Sequence, residues 1–114
     1  MEKNIKEVLA VLGKELIESK AKDVVVLDMS NQETLFDYFV IATFESNTHL
    51  DGLIRVAKNT LETSGHELSH TEGRGGNKWV ALDFGGIVVH LQDGESRLFY
   101  NLERIWGEAE KLAM

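Results

Sequence analysis

The chain has 114 residues, the size of one ordinary domain, and carries 12 basic against 19 acidic side chains for a formal net charge of −7. Cysteine is absent, which excludes disulfide bonds and thiolate metal sites. The acidic balance without a Lys/Arg cluster argues against direct nucleic-acid binding, because that affinity comes largely from neutralising phosphates. A basic protein is the better-matched partner for such a domain.

The apolar runs of the chain are short. Runs such as residues 24–27 and 39–42 are far below the ~20 residues that a membrane helix needs. The first residues open an amphipathic segment and lack the basic start and apolar middle of a signal peptide. We therefore expect a soluble, cytoplasmic protein with no membrane association, folded as a single domain over residues 1–114.

The first half of the chain predicts a helix, two strands and a second helix. Apolar residues at helical spacing indicate a first helix over about residues 2–20; they are Ile5, Val8, Leu9, Leu12, Leu16 and Ile17. Residues 24–27 and 37–43 are apolar on both alternating sets, as in strands buried on both faces. Ser46 or Asn47 can cap the next helix, which Gly65 ends. The buried stripe of that helix is predicted to be Leu50, Leu53, Ile54, Ala57 and Leu61.

The second half predicts a hairpin. A brief extended piece at residues 67–69 and a loop over residues 71–78 precede two alternating runs, residues 79–84 and 87–91, joined by Gly85 and Gly86. Two glycines suit a tight turn that needs positive φ. In this register the core face pairs Phe84 with Ile87, Leu82 with Val89, and Val80 with Leu91.

The opposite face of the hairpin is mixed in composition. It pairs Asp83 with Val88, Ala81 with His90, and Trp79 with Gln92. This face is too polar for a core and too aromatic for an ordinary surface, so we interpret it as a half-exposed interface patch.

The last predicted element is a helix over residues 95–106. Its core stripe is predicted to be Leu98, Phe99, Leu102, Ile105 and Trp106. The order of elements predicts an α/β (α+β) fold, with a mixed β-sheet of about five strands and helices packed on it.

Three segments resemble the Iojap-like ribosomal silencing factors. The first is residues 37–43, followed by Ser46 and a helix. The second is Glu72-Gly73, then five residues, then residues 79–83, a glycine turn and residues 88–90. The third is residues 95–97, leading to Tyr100 and residues 102–106. Each motif alone is weak, but three in order across one short chain make a specific match.

The resemblance implies a non-catalytic domain with a nucleotidyltransferase-like shape and no cofactor. It also implies binding to large-subunit ribosomal protein uL14 at the intersubunit face, which blocks joining of the two subunits and represses translation when nutrients are scarce. Relatives in organelles assist large-subunit maturation, which is an alternative role. The sequence departs from the family pattern at Phe36, Phe44 and Gly86, among other positions, so details of the interface are not fixed by the resemblance.

The candidate partner-binding residues combine the mixed hairpin face with the start of the last helix; they are Trp79, Asp83, His90, Asp93, Glu95, Tyr100 and Glu103. Trp79 is the expected centre, because aromatic residues are the usual hot spots of protein interfaces. The acidic members are expected to meet basic side chains of the partner and to guide docking more than to hold it.

Other functions have weaker support in the sequence. The four histidines, His49, His66, His70 and His90, lack the spacing of a zinc set, so no metal site is expected. A nucleotidyltransferase-like enzyme could use Asp28 and Asp37 for Mg²⁺, although the segment before Ser46 carries Phe44 and Glu45 where phosphates need a small, uncharged loop. A homodimer built through the mixed hairpin face is a third alternative.

Overall fold

A computed structural model describes residues 4–74 and 78–112. The elements in chain order are α1 (Ile5–Glu18), β1 (Lys22–Asp28), β2 (Tyr38–Thr43), α2 (Asn47–Thr63), β3 (His70–Arg74), β4 (Trp79–Asp83), β5 (Ile87–Gln92), α3 (Gly94–Tyr100), α4 (Leu102–Ile105) and β6 (Glu110–Lys111).

The strands form one mixed sheet in the order β3-β4-β5-β2-β1-β6. The β2–β5 pair is parallel and the other pairs are antiparallel. The α/β prediction is thus confirmed, with β6 as a short strand that the sequence did not indicate. The loop predicted over residues 71–78 is wrong for residues 71–74, which belong to β3, since the ladder with β4 continues to the pair of Arg74 with Trp79. Residues 75–77 lie outside the described part of the chain.

Both long helices are capped at their N-termini and pack together, and the cap predicted for α2 is confirmed at Ser46. Asn4 caps α1 by accepting a hydrogen bond from the backbone N–H of Lys6, and Ser46 caps α2 by accepting one from His49. The chain turns away after α2 at Gly65, whose φ is +91°. Ile17 was predicted in the buried stripe of α1 but is half exposed, because it lies at the edge of that stripe. In the described ranges, no helix is long and apolar enough to cross a membrane.

The predicted hairpin register is confirmed. β4 and β5 pair Asp83 with Val88, Ala81 with His90, and Trp79 with Gln92. The turn glycines, Gly85 and Gly86, have φ of +78° and +103°, and both backbone N–H groups donate to Asp83 Oδ1, at 2.9 and 3.3 Å. A Cβ at Gly86 would lie 2.7 Å from Asp37 Oδ2, so this position has no room for a side chain without movement of that carboxylate.

The sheet has a core on each face. The first core, under α1 and α2, contains the predicted inner face of the hairpin; its members there are Val80, Leu82, Phe84, Ile87, Val89 and Leu91. The second core lies on the other face and joins Phe39, Ile41 and Val88 to Leu102 and Ala109 of the C-terminal segment.

The mixed face of the hairpin therefore divides into two halves. The β5 half is buried, and its residues are Val88, His90 and Gln92. The β4 half, namely Trp79, Ala81 and Asp83, is half exposed as predicted. The prediction of a half-exposed patch is wrong for β5, because the C-terminal segment covers that strand.

The C-terminal segment is not one helix. α3 ends at Tyr100, and α4 starts at Leu102. Asn101 between them has a φ of +26°, which turns the chain. The predicted core stripe is wrong for Leu98, Phe99 and Ile105, which are 82%, 80% and 65% exposed. Of the stripe, only Leu102 is buried, while Trp106 is half buried against the second core. The turn at Asn101 breaks the helical spacing from which the stripe was predicted.

Arg97 fastens this segment to the sheet. Its guanidinium donates to Thr43 Oγ1 at 2.9 Å and to the backbone oxygen of Asp23. It also pairs with Glu103 at the start of α4, where Nε lies 2.9 Å from Oε1. Arg97 is 8% exposed, so these contacts compensate for removing a full charge from water. One side chain thus links α3, α4, β2 and the start of β1.

We predict that Arg97→Ala lowers the free energy of unfolding by about 2–3 kcal/mol, because it leaves the half-buried Glu103 carboxylate without its main partner and removes a buried hydrogen bond to Thr43. Urea unfolding followed by circular dichroism measures this change. The matched control is Arg104→Ala, at an exposed position of α4, which is expected to change stability by about 0.5 kcal/mol or less. Equal losses in the two variants would contradict the role assigned to Arg97.

Candidate partner-binding surface

The C-terminal segment exposes a group of large apolar side chains. We call this group the apolar patch; it consists of Leu98, Phe99, Tyr100 and Ile105. Tyr100 is 45% exposed, and the other three are exposed to a greater extent. Scattered single apolar residues are normal on protein surfaces, whereas neighbouring ones mark sites of interaction. The patch is therefore a candidate docking surface.

Trp79 connects the apolar patch to the sheet. Its ring centroid lies 4.6 Å from that of Tyr100, with the two planes 45° apart. Phe99 contacts the same tyrosine edge-on, with centroids 4.9 Å apart. Three aromatic rings from β4 and α3 thus form one continuous surface, and the two predicted contact residues Trp79 and Tyr100 are next to each other in it.

His90 lies beneath this aromatic surface and orients Trp79. Trp79 Nε1–H donates to His90 Nδ1 at 3.2 Å, and Phe39 packs edge-on against the imidazole from the other side, with centroids 4.6 Å apart. Burial lowers the pKa of His90 to about 4, so the ring is neutral at pH 7 and its Nδ1 can accept the indole proton. Because His90 is only 8% exposed, its place in the predicted site is that of a support under the indole.

The four acidic candidates occupy different positions. Glu95 is exposed in the first turn of α3. Asp93 caps that helix by accepting a hydrogen bond from the backbone N–H of Ser96 at 2.8 Å. Asp83 organises the hairpin turn, and Glu103 pairs with Arg97 within the chain. Glu95 and Asp93 are therefore the acids placed at the start of the segment that carries the apolar patch.

Three members of the patch were missed from the sequence, namely Leu98, Phe99 and Ile105. Helical spacing alone had assigned them to the core. Leu98, Phe99 and Tyr100 are consecutive, and consecutive residues on a helix point in directions about 100° apart, so a short helix lying on a sheet cannot bury all three. Because Tyr100 was already predicted to face outward, this spacing did not identify the other two as exposed.

A small cavity opens beside the aromatic surface. Its volume is about 220 Å³, and it is lined by Glu72, Trp79, Ala81, His90 and Tyr100. Two of its walls are aromatic, and Glu72 brings a carboxylate from β3 to it. The second motif of the sequence, which begins at Glu72, thus meets the third motif at this cavity.

Of the two residues considered for an Mg²⁺ site, Asp28 has another role in the structure, and so do two residues of the segment before Ser46. Asp28 Oδ1 accepts the backbone N–H of Ser30 at 2.9 Å, and hydrogen bonds from Ser30 lower the pKa of the Asp28 carboxyl. Glu45 pairs with Lys22, and Phe44 is buried in the first core. Within residues 4–74 and 78–112, no three His, Asp or Glu side chains are grouped so that they could hold a metal ion.

Comparison with known proteins gives relatives along the whole chain. The family model described as "Ribosomal silencing factor during starvation" matches residues 2–114. Ribosomal silencing factor RsfS of Bacillus subtilis is 31% identical over 106 residues, covering 93% of this chain and 90% of that protein. The mouse protein named "Mitochondrial assembly of ribosomal large subunit protein 1" is 32% identical over 95 residues, covering 80% of this chain and 41% of that longer protein.

A solved structure agrees with the sequence match. A crystal structure of a protein from Chromobacterium violaceum aligns with a TM-score of 0.82 at 29% identity, covering 98% of this chain and 92% of that one. The three motifs, the matched family model and this shared fold lead to the same conclusion: the chain belongs to the family of ribosomal silencing factors.

Proposed function

We propose that this chain regulates translation by binding the large ribosomal subunit through ribosomal protein uL14 and blocking the joining of the small subunit. Its family is named for ribosome silencing during starvation rather than for a chemical reaction. The mouse relative is named for assembly of the large ribosomal subunit, which is consistent with the same subunit as partner. The proposed act is binding alone, with no catalytic step.

The apolar patch is the observation that carries the proposal. Phe99 and Leu98 are about four-fifths exposed on a short helix that Arg97 holds in place. Water-exposed Phe and Leu side chains contribute nothing to the fold, but each adds about 1.5–3 kcal/mol when a partner covers it fully. Large apolar side chains that are exposed on a helix held in a fixed position are typical of an interface whose contact residues are in place before binding.

The charge of the chain fits a basic partner. The formal net charge is −7, and Glu95 and Asp93 stand at the beginning of α3, next to the patch. Such charges accelerate encounter and set orientation, while the desolvated aromatic residues supply most of the affinity. Proteins that bind ribosomal RNA neutralise phosphates, so a ribosomal protein offers the complementary charge.

Steric blocking requires only a modest interface. A standard contact buries roughly 800 Å² on each partner. A bound domain of this size at the intersubunit face then occupies space that the small subunit needs. Differences in affinity between related complexes lie mostly in the dissociation rate. We therefore expect that rate to set how long the bound domain keeps the small subunit away.

The first prediction concerns subunit joining. Adding the purified protein in excess to separated subunits is expected to lower the yield of joined ribosomes in sucrose-gradient sedimentation, with the protein travelling with the large subunit. Proteins that bind elsewhere on the subunit should leave the yield unchanged. Full joining while the protein stays bound to the large subunit would refute blocking and leave only the binding.

The second prediction concerns the apolar patch and Trp79, whose ring contacts it. Trp79→Ala and Phe99→Ala are each expected to weaken binding to isolated uL14 by tenfold or more, about 1.4 kcal/mol, because both remove an aromatic anchor. Isothermal calorimetry measures the affinities. Leu35→Ala is the control, since Leu35 is 97% exposed on the loop before β2 and lies outside the patch. Folded Trp79 and Phe99 variants that bind like the control would exclude this surface.

A second role is supported by one comparison, the name of the mouse relative, which refers to large-subunit assembly. A maturation factor would use the same surface on an earlier particle. Sedimentation of ribosomal particles from cells lacking the protein separates the two roles: accumulated large-subunit precursors indicate maturation, whereas normal precursors with excess joined ribosomes in starved cells indicate silencing.

A further inference from the structure

We infer that the buried amide of Gln92 positions Trp79, acting through one internal water molecule and the imidazole of His90. The inference concerns the support beneath the aromatic surface, so it can be tested on the isolated protein. Only its effect on partner binding rests on the proposed function.

Buried polar side chains are concentrated where α3 meets the sheet. In the described ranges, all buried polar or charged residues except Thr60 belong to β2, β5 and α3; they are Thr43, His90, Gln92, Ser96 and Arg97. The sheet register pairs Thr43 with Gln92, and His90 lies two residues before Gln92, on the same face of β5. Arg97 reaches this face from α3 by donating a hydrogen bond to Thr43. The layer beneath α3 is therefore partly polar.

Three atoms of His90 and Gln92 make no hydrogen bond to the protein. They are Oε1 and Nε2 of Gln92 and Nε2 of His90. Gln92 is 0% exposed and His90 is 8% exposed, so bulk solvent does not reach these atoms. Buried polar atoms of native proteins are nearly always hydrogen-bonded, and internal water supplies the bonds that the protein does not. Both side chains therefore call for a water molecule as their partner.

The hydrogen bond from Trp79 fixes which nitrogen of His90 carries the proton. Nδ1 accepts the indole N–H at 3.2 Å, and the ring is neutral at pH 7 because burial lowers its pKa to about 4. The ring proton is consequently on Nε2, which makes that atom a buried donor. Gln92 Oε1 is a buried acceptor on the same face of the strand. The two side chains thus have complementary groups that are still unused.

One water molecule suits the spacing of these two side chains. Alternate residues of a strand are roughly 6.6–7 Å apart, and a water bonded to two polar atoms spans about 5.5 Å between them. The water accepts the Nε2–H of His90 and donates to Oε1 of Gln92, which gives it two of the two to four partners that internal water has. The bonded imidazole is then held in the orientation that receives the indole N–H, so Gln92 acts on Trp79 through His90.

The first test is NMR of the isolated protein at pH 7. A long-range ¹H–¹⁵N spectrum is expected to show His90 with its proton on Nε2, and that proton is expected to give a cross-peak with a long-lived bound water. Gln92→Met keeps the length of the side chain and removes both amide atoms. In this variant we expect the water cross-peak to be lost and hydrogen exchange of the Trp79 indole N–H to become about fivefold faster or more.

The matched control is Gln32→Met, the same change at the other glutamine of the chain, which lies in the connection between β1 and β2. It should alter neither the water cross-peak nor the indole exchange. The inference is overturned if the original protein gives no such cross-peak, or if the cross-peak and the slow indole exchange persist in folded Gln92→Met. A change in the urea midpoint of Gln92→Met without these spectral changes would indicate a merely structural role and would likewise overturn it.

The second test measures binding to isolated uL14 by calorimetry. Gln92→Met is expected to bind about threefold more weakly, because the indole is less well held before contact, and Gln32→Met is expected to bind like the original. If the original protein binds uL14 and Gln92→Met binds equally well, the positioning role is wrong while the proposed function stands. If the original protein does not bind uL14, the proposed function fails, and the NMR test alone decides on the water and its effect on Trp79.

Discussion

The arrangement of the whole surface depends on the buried guanidinium of Arg97. In the described part of the chain, the second face of the sheet is covered by a short C-terminal segment, in which α3 has seven residues and α4 has four, together with Met29 and Phe36 from the connection between β1 and β2. Helices this short are not stable by themselves in water. Arg97 ties them to Thr43 on β2, to the backbone of Asp23 and to Glu103, so the segment is fixed by directional polar contacts as well as by packing of Leu102.

This way of fastening the segment explains why its apolar side chains can remain outside. If packing alone held α3, Leu98 and Phe99 would have to face the core. Because Arg97 and the Asp93 cap hold the helix, those side chains are free to face solvent, and the ring of Phe99 packs against Tyr100, which in turn contacts Trp79. The result is an aromatic and aliphatic surface that is positioned before any partner arrives, which reduces the ordering cost of binding.

The sequence predicted best those elements whose pattern is local. The hairpin register followed from two glycines and strict alternation, and the cap of α2 followed from a serine side chain that can accept a backbone N–H group. The short strands β6 and β3 were not predicted at their positions, because their pairing partners lie elsewhere in the chain and their own residues are mostly polar. The extended piece expected at residues 67–69 lies before β3 and is not part of a strand.

The candidate site was predicted only in part for a related reason. Trp79 and Tyr100 were expected to contact a partner, and the structure brings their rings together. Leu98, Phe99 and Ile105 were assigned to the core, since hydrophobic spacing cannot distinguish a face that meets the sheet from one that meets another protein. The turn at Asn101 determines which side chains face the sheet and which face solvent. The spacing of apolar residues does not predict a positive φ at a single residue.

Site-specific photo-crosslinking tests the central claim most directly. A photoreactive phenylalanine analogue placed at position 99 is expected to give a covalent product with uL14 when the protein is mixed with purified large subunits and irradiated. The same group at Lys58, an exposed position of α2 on the other side of the sheet, is expected to give no such product. A product with uL14 from position 58 and none from position 99 would contradict the account.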